Sequence, residues 1–329
     1  MEEEKLIIDV ETEEERRIDQ FLADQMEYSR SFIQKLIKTE RVTVNGNVIT
    51  KVKYPVSFRD KIIIEIPAPT ELEIKPEKMD LDILYEDNDV IVIDKPKGMV
   101  VHPSAGHMSH TLVNGLLYHC KGNLSGINGV LRPGIVHRID MDTTGAIIAC
   151  KNDIAHQSLA KQLQVHSITR KYEAIVYHNL QEETGTIDKP IGRHPVHRKK
   201  MAVVQPEKGK RAVTHYRVLS HLNHKFNYIE CQLETGRTHQ IRVHMKHIGH
   251  TLFNDERYGG HEILKGTHFS KYKQFVNNCF EICPRQALHA KTLGFVHPRT
   301  GEEMFFTSEL PEDMTCLLER WRTYISNRE

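Results

Sequence analysis

Two segments of the chain concentrate side chains that could carry out chemistry. Residues 132–145 read RPGIVHRIDMDTTG, and they place cations, carboxylates and hydroxyls directly before the apolar run 146–149. Residues 234–244 read ETGRTHQIRVH, in which Thr235 or Gly236 could begin a helix. Backbone amides at the start of a helix, together with cations in its first turn, favour an anion. The first segment therefore predicts a polar cluster at the mouth of a core, and the second predicts an anion site.

Each segment also has a structural interpretation that the residues alone leave open. The first could be a turn in which Asp142 or Thr143 bonds to nearby backbone amides. The second could be a basic surface helix, and on a helix Arg237 and Arg242 would fall on different sides. Only some of these charges could then face a single site.

Two further segments are weaker candidates. Residues 94–103 read DKPKGMVVHP, a strand end followed by a loop that two prolines stiffen, which is also typical of an exposed turn. Residues 169–176 read TRKYEAIV, a strand with Tyr172 near its start. A single tyrosine on a strand usually packs in a core, so neither segment indicates chemistry by itself.

Metal ions and nucleotide cofactors are not indicated by the sequence. The chain has 21 histidines, but the spacing of His244, His247 and His250 matches neither HExxH nor a paired-cysteine pattern. No GxxxxGK[ST] or GxGxxG motif occurs at a strand-to-helix junction. We therefore expect no metal and no nucleotide cofactor.

Length and composition predict a soluble protein of two domains, or of one large domain with an appendage. The chain has 329 residues, against about 150 for a typical domain, and it is 27% charged and 39% hydrophobic. No apolar run approaches the roughly 18 residues that cross a bilayer, and the N-terminus is acidic where a secretion signal would be basic. The six cysteines form no CxxC pair. We expect a cytoplasmic protein with reduced thiols.

The net charge of +1 hides an uneven distribution. Residues 30–61 hold eight basic and two acidic side chains, and residues 188–211 hold the same numbers, whereas residues 1–28 are strongly acidic. Two local basic surfaces on a neutral protein suit a polyanion bound at a specific place, although an ordinary solvated face would have the same composition.

Apolar spacing predicts a small N-terminal domain ahead of the reactive segments. Residues 13–26 predict an amphipathic helix, and a second helix follows with Ser29 or Ser31 as its cap. Residues 42–48 predict a hairpin around an Asn-Gly pair, and residues 61–66 predict a strand. We place this domain at residues 13–70 and a proline-containing linker at residues 71–80.

Residues 81–329 predict the larger domain that must position the reactive segments. We expect strands at residues 90–94, 145–151, 170–177, 213–220 and 228–234, and helices at residues 111–120, 154–164, 237–248 and 311–325. Strands outnumber helices and do not alternate strictly with them, which disfavours a doubly wound parallel sheet. The expected fold class is α+β with a mainly antiparallel mixed sheet.

Taken together, the four reactive segments resemble the RluA family of pseudouridine synthases, and within it the D type of the ribosomal large subunit. Residues 137–145, HRIDMDTTG, are similar to the family signature HRLDxxTSG, and residues 237–242, RTHQIR, match its second arginine motif. The family order and spacing are also kept by Lys95, Asp140, Tyr172 and Arg237. Two departures, isoleucine for leucine and threonine for serine, preserve the volume and the hydroxyl.

The N-terminal domain has a resemblance of its own. Residues 15–62 are similar to the small RNA-binding domain named after ribosomal small-subunit protein four, through Arg17, Arg30 and the VTVNG run at 42–46. The VHPSAGH run at residues 101–107 is closer to the D type than to its relatives. The combination implies a synthase domain preceded by an RNA-binding domain, and ribosomal RNA rather than transfer RNA as substrate.

The resemblance implies the isomerisation of uridine to pseudouridine in the helix 69 loop of large-subunit ribosomal RNA, by a monomer without a cofactor. Asp140 would be the nucleophile, Arg237 would pair with it and keep it ionised, and Tyr172 would lie against the uracil. Arg138 would enter the space that the flipped base leaves. The other implied substrate-binding residues are His137, Thr143, Lys95, His102, His239, Arg30 and Lys35.

Three other functions stay open on the sequence. A non-catalytic RNA-binding module of the ribosome would need the basic surfaces but not Asp140. A pseudouridine synthase could act on transfer RNA instead. A glycoside hydrolase would use Asp140 and Asp142 as its carboxylate pair.

Overall fold

The computed structural model describes residues 4–26, 30–66, 74–104, 106–121, 123–127, 133–222, 225–263 and 269–327. The chain divides into two compact units after Leu72. None of the helices in these ranges is both long and apolar enough to cross a membrane.

The first unit combines two helices with a small antiparallel sheet. Its elements are β1 (Glu4–Asp9), β2 (Arg16–Arg17), α1 (Ile18–Gln25), α2 (Arg30–Lys38), β3 (Val42–Val44), β4 (Asn47–Val48), β5 (Pro55–Val56) and β6 (Lys61–Ile66). The sheet order is β1-β6-β3-β4, and β2 pairs with β5. Apolar residues of both helices, such as Leu22 and Ile33, share one core with Ile62 and Ile64 of β6. The predicted hairpin at residues 42–48 is present around its Asn-Gly turn.

The ends of this unit differ from the sequence expectations. Strand β1 pairs with β6 although it precedes the predicted domain start at residue 13. Helix α1 begins at Ile18, because residues 16 and 17 pair with β5 instead of extending the helix. Helix α2 begins at Arg30, so Ser31 lies inside the helix rather than capping it, and Ser29 is outside the described residues.

Residues 74–80, predicted as linker, are tied to the second unit. Asn114 Nδ2 donates to the Lys75 carbonyl oxygen at 2.8 Å. The Glu77 backbone nitrogen donates to the Asn114 carbonyl oxygen at 2.9 Å. The described part of this segment is therefore an extended edge of the larger unit.

The second unit carries the reactive segments. Its elements are β7 (Asp82–Glu86), β8 (Val90–Lys95), α3 (Leu112–His119), β9 (Thr144–Cys150), α4 (Asp153–Gln164), β10 (Thr169–Tyr177), β11 (Thr184–Asp188), β12 (Ile191–Arg193), β13 (Met201–Val203), β14 (Val213–Leu222), β15 (Phe226–Leu233), α5 (Gln240–His247), α6 (Ser270–Ile282), β16 (Leu288–Val296), β17 (Glu303–Thr307) and α7 (Glu312–Ser326). Nine of these strands form one sheet in the order β11-β14-β15-β10-β16-β9-β8-β7, with β17 beside β16. Only β9 and β16 run parallel among the described pairs, so the α+β class with a mainly antiparallel sheet is confirmed.

Helices cover both faces of this sheet. Alternate residues of β10 divide between the faces: Tyr172 and Ala174 join the core under α3 and α5, whereas Ile175 and Tyr177 join the core under α6 and α7. Helix α4 packs against β8 and β9 on a third apolar cluster. The sheet is thus a rigid layer, buried on both sides, from which loops can project side chains.

Several elements of this unit depart from the sequence predictions. Helix α5 begins at Gln240 rather than at residue 237, because His239 has a left-handed backbone with a φ of 55°. The sequence predictions lack helix α6 and strands β7, β11, β12, β13, β16 and β17. Strand β16 contains His289, Lys291 and Gly294, which interrupt its apolar pattern, yet it is a central strand.

Gly145 is required where β9 meets β16. It lies opposite Ala290 in the parallel pair and has a φ of +112°, and a Cβ atom there would lie 2.3 Å from the Ala290 carbonyl oxygen. We expect Gly145→Ala to lower the free energy of unfolding of this unit by roughly 2–4 kcal/mol, because backbone atoms must separate. Urea denaturation followed by the fluorescence of Trp321, the chain's one tryptophan, which is buried in this unit, measures the loss. Gly126→Ala, where a Cβ meets nothing within 4 Å, should change little; equal stabilities of the two variants would contradict the argument.

Candidate active site

Residues 140–143 form a turn that leads directly into β9. The Thr143 backbone nitrogen donates to the Asp140 carbonyl oxygen at 3.1 Å, and the strand begins at Thr144. Strand β9 is buried along its whole length between β8 and β16. Asp140 therefore projects from the end of a rigid central strand, which fixes its position better than a free loop would.

Lys95 lies beneath this turn and bonds to its backbone. It is fully buried, and its Nζ donates to the carbonyl oxygens of Met141, Met99 and Pro96 at 2.9, 2.9 and 2.7 Å. These acceptors occupy all three N–H groups of the ammonium. Burial lowers the pKa of Lys95 to about 7, against the opposing pull of Asp142 and Asp140. The loop that follows Lys95 folds back over its head group, so the structure gives Lys95 a role in supporting the turn, and its contact with substrate stays a prediction.

A second buried cation holds the other side of the turn. Arg285 Nη1 donates to the Asp142 carbonyl oxygen at 2.9 Å. Asp313 of α7 fixes the Arg285 guanidinium through two hydrogen bonds, each of 2.8 Å. The C-terminal helix thus reaches the turn through a bidentate ion pair, a geometry that restrains orientation as well as distance.

The Asp140 carboxylate is paired with Arg242 of α5. Arg242 Nη1 donates to Asp140 Oδ2 at 2.8 Å, and its Nε and Nη2 donate to Asp255 at 2.7 and 2.9 Å. Asp255 is fully buried, so one guanidinium joins two carboxylates. Burial opposes ionisation of Asp140, but His239 and Arg242 outweigh it, and the pKa of Asp140 lies below its ordinary value. Asp140 is therefore an anion at neutral pH.

His239 lies on the other side of the same carboxylate. Its Nε2 is 3.8 Å from Asp140 Oδ1, and its Nδ1 is 2.7 Å from the Tyr258 hydroxyl. Burial lowers the pKa of His239 to about 4, although Asp140 acts in the opposite direction. The imidazole is therefore neutral at pH 7, and the permanent positive charge beside Asp140 belongs to Arg242.

A cavity of about 820 Å³ opens in front of Asp140. Eight residues that the sequence analysis selected line it: His102, His137, Arg138, Asp140, Thr143, Tyr172, Arg237 and His239. They come from all four segments that the sequence singles out, at residues 94–103, 132–145, 169–176 and 234–244. The structure thus brings together residues that are up to 137 positions apart in the chain.

Tyr172 and His137 are the buried side chains of this wall. Tyr172 is 7% exposed on β10, and burial raises its pKa, with Asp140 adding to the effect and Arg170 opposing it. The phenol is therefore protonated at neutral pH. His137 accepts a hydrogen bond at Nε2 from the Ile148 backbone nitrogen at 3.1 Å, and burial lowers its pKa to about 3. Both side chains in this part of the cavity wall are therefore uncharged at neutral pH.

Arg30 and Lys35 belong to the first unit and differ in what they do there. Arg30 donates through Nε and Nη2 to Asp19 at 3.0 and 2.9 Å, and Asp19, which is fully buried, also accepts from Arg17 and Gln34. The Arg30 charge therefore balances a buried carboxylate, and its contact with RNA stays a prediction. Lys35 is exposed.

One cluster outside the cavity has the residue types of a metal site. Asp87, Asp89 and His297 bring their ligand atoms within 4.8 Å of one another. Asp87 already accepts from the Tyr85 hydroxyl and from two backbone amides, and Arg299 forms a bidentate pair with Asp89 at 2.7 and 2.6 Å. The protein's own donors satisfy these carboxylates, so the cluster is a structural network.

Comparison with known proteins identifies the chemistry. The family model described as RNA pseudouridylate synthase matches residues 89–247, and the S4 domain model matches residues 16–62. The chain is 48% identical over 319 residues to the uncharacterized RNA pseudouridine synthase YlyB of Bacillus subtilis, covering 96% of this chain and 98% of that protein. The chain belongs to the RNA pseudouridine synthase family.

Two further proteins are similar to this synthase. The ribosomal large subunit pseudouridine synthase D of Zymomonas mobilis is 44% identical over 321 residues, covering 95% of each chain. The solved structure of human RNA pseudouridylate synthase domain containing 4 has a TM-score of 0.52 at 25% identity, covering 73% of this chain and 93% of that one. The resemblances drawn from the sequence, to the synthase family and to the small RNA-binding domain, are confirmed.

The arginine that pairs with Asp140 in this synthase is Arg242 and not Arg237. Arg237 lies before α5, lines the cavity and donates through Nε to the Arg211 carbonyl oxygen at 3.0 Å. Motif position predicts Arg237 as the partner of Asp140 and gives no such role to Arg242. Helical spacing predicts that the two arginines lie on different sides of the helix. It does not predict which of them pairs with Asp140, because Arg242 and Asp140 are 102 positions apart in the chain.

The two arginines should therefore differ in their kinetic roles. We expect Arg242→Met to reduce kcat by at least about a thousandfold, because Asp140 loses its cation and Asp255 is left buried without a counter-charge. Arg237→Met should act mainly on KM, since the pair at Asp140 stays intact. Single-turnover and steady-state assays on RNA substrate measure both constants, and thermal melts identify loss of folded protein. An equal loss of kcat in the two variants would refute the assignment of Arg242.

Acid should destabilise the synthase through buried histidines such as His289, which bonds to the Thr144 hydroxyl at 2.9 Å. Burial lowers the pKa of His289 to about 4, against about 6.5 in an unfolded chain. Because the unfolded chain binds this proton more tightly, the stability from neutral His289 is complete above pH 6.5 and is lost as the pH falls towards 4.

Between pH 7.5 and 5 this histidine should account for about 2 kcal/mol of lost free energy of unfolding. His289→Gln should therefore lose about that much less than the native protein over the same range, as measured by urea denaturation at each pH. His107→Gln, at an exposed position, should follow the native protein. Parallel pH profiles for native and His289→Gln proteins would exclude this contribution.

Proposed function

We propose that this synthase isomerises uridine in large-subunit ribosomal RNA, at the helix 69 loop. The observation that carries the catalytic assignment is the ionised Asp140 carboxylate, held in the cavity by Arg242 at 2.8 Å. The ribosomal target is supported by similarity to proteins such as the one from Zymomonas mobilis, whose name specifies the ribosomal large subunit. We propose that the enzyme acts in the cytoplasm, where such RNA is accessible to it. We also propose that it acts as a monomer.

Asp140 is the proposed nucleophile. The reaction breaks the bond between N1 of uracil and C1′ of ribose and joins C5 to the same C1′, while C5 loses a proton and N1 gains one. Atoms and electrons balance within the nucleotide, so the chemistry calls for no redox partner. A carboxylate with a lowered pKa is ready to attack the ribose or the base, or to assist elimination, without prior deprotonation.

The neighbours of Asp140 have distinct proposed roles. Tyr172 lies against the uracil ring. Its raised pKa means that the phenol is protonated before the substrate binds, so it assists removal of the C5 proton only while its own proton passes on, and the gain of a proton at N1 balances the exchange. His137, His102 and Thr143 shape the pocket around the base. His239 stays neutral and can donate or accept a hydrogen bond at the base without competing with Arg242 for Asp140.

Access to the uridine requires base flipping. A base within a stacked stem or loop cannot reach a carboxylate at the bottom of a cavity, so the nucleotide must rotate out. Arg138 lies at the cavity wall, two positions before Asp140. We assign Arg138 to the space that the flipped base leaves, where its planar guanidinium can stack on the remaining bases.

The basic stretch at residues 188–211 is the proposed RNA-binding surface beside the cavity. Strands β12 and β13 pair within it, and the exposed cations Arg198 and Lys199 lie between them. The Met201 backbone nitrogen donates to the Tyr258 hydroxyl at 3.0 Å, and that hydroxyl also contacts His239. The hairpin is thus joined to the catalytic side chains through one tyrosine. In the first unit, the proposed RNA contacts are Arg30 and Lys35.

Release of tritium from RNA labelled at C5 of uridine tests the proposal. We expect release from large-subunit ribosomal RNA by the native protein, and a reduction of at least about a thousandfold in Asp140→Asn, because an amide is a poor nucleophile. Chemical mapping of the pseudouridine should place it in the helix 69 loop. Asp142→Asn is the matched control, because its carboxylate has no described hydrogen bond; it should retain most activity, and an equal loss would favour a carboxylate pair.

Two outcomes would overturn this function. Release from transfer RNA but not from ribosomal RNA would reject the ribosomal target while preserving the chemistry. Release that persists in folded Asp140→Asn protein would reject Asp140 as the nucleophile.

A further inference from the structure

Arg170 is a buried cation in the wall of the cavity that the assigned chemistry does not use. It lies on β10 two positions before Tyr172, so both side chains are on the same face of the sheet. Arg170 is 6% exposed and lines the cavity. Its charge lowers the pKa of His137 and acts on Tyr172, which places the guanidinium beside both of these residues.

The protein satisfies only part of the Arg170 guanidinium. Nη2 donates to the Glu234 carbonyl oxygen at 2.9 Å. Nε is buried and has no hydrogen-bond acceptor among the described residues. A Cβ atom on Gly236 would lie 2.6 Å from Nη1 of Arg170. Because glycine has no side chain, the guanidinium can pack directly against the backbone of this loop. The arginine is held in place with donors left over.

No carboxylate in the described part of the chain lies within ion-pair distance of Arg170. The contrast with Arg242 is direct, since Asp140 and Asp255 both neutralise that residue. Arg138 and Arg237 also line the cavity, and neither has an ion-pair partner in the ranges described. Arg237 is close enough to repel Arg170 electrostatically. A buried cation without a counter-charge costs free energy, and that cost falls when a ligand supplies the anion.

We propose that Arg170 binds an RNA phosphate at the flipped nucleotide, with Arg237 as the second cation of the same subsite. The proposal rests on the assignment of this cavity to a flipped uridine. Uracil and ribose are neutral, so the phosphodiester is the part of the substrate that can balance a buried guanidinium. The fork of donors on arginine matches the oxygens of a phosphate, and such contacts fix the register of the nucleic acid.

The salt dependence of RNA binding tests this contact separately from catalysis. The probe is a ribosomal RNA fragment that contains the helix 69 loop, titrated against the full chain at several KCl concentrations. A protein that loses one phosphate contact loses about 0.7 from the slope of log K against log salt on single-stranded RNA. We expect Arg170→Met to raise Kd about tenfold at low salt and to show this smaller slope.

Three variants separate a phosphate contact from a structural role. Arg170→Gln is neutral but can still donate to the Glu234 carbonyl oxygen, and it should show the same smaller slope. Arg170→Lys keeps the charge and should keep the native slope. Arg299→Met removes an arginine whose partner is Asp89 and which does not line the cavity, so its slope should be native.

Two results would overturn the proposal. A native slope in folded Arg170→Gln protein would show that no phosphate is bound there. Weaker binding by Arg170→Met with an unchanged slope would show a role in holding the loop at residues 234–236. Failure of the proposed function gives a different pattern: the slope changes with Arg170, but no variant, nor the native protein, releases tritium from this RNA.

Discussion

The site depends on one guanidinium that joins two carboxylates. Arg242 is the cation that keeps Asp140 ionised, and Asp255 is the fully buried anion that keeps Arg242 in place. A pair of Asp140 and Arg242 alone would leave the guanidinium free to rotate towards water. Because Asp255 also accepts from Arg242, three N–H groups of the guanidinium point in fixed directions. The part of the Asp140 carboxylate that Arg242 does not bind faces the cavity. Helix α5 therefore orients the carboxylate, although it contributes no nucleophile itself.

The carboxylate also needs a backbone that does not move, and two other cations provide it. Lys95 holds the Met141 carbonyl oxygen, and Arg285 holds the Asp142 carbonyl oxygen. The close approach of β9 to β16 at Gly145 also positions the turn at residues 140–143, which leads into β9. These contacts come from β8, from the segment before β16 and, through Asp313, from α7, so the position of Asp140 depends on elements that are far apart in the sequence of the second unit.

Local spacing was enough to predict most elements, and the family resemblance supplied the residues that surround the cavity, but neither gave the pairings between them. Asp140 and Tyr172 stand where the family motifs place them, and both line the cavity. Lys95 has the residue type of an anion ligand, yet the sequence does not show that its own loop covers it. Arg242 is 102 positions from Asp140, and β16 has a histidine, a lysine and a glycine in a buried strand. Such features are set by tertiary contacts and leave no periodic signal.

The cations of the site differ in what balances their charge. A lysine or arginine taken out of water must have its donors satisfied, and the partner can be the protein or the ligand. Lys95, Arg285 and Arg242 bond to carbonyl oxygens and carboxylates within the fold. Replacing one of these side chains would therefore first change the geometry of the turn and of Asp140. The other arginines of the cavity have no carboxylate among the described residues. Because a folded enzyme keeps an unbalanced charge only at a cost, these positions are where the polyanionic substrate completes the electrostatics of the site.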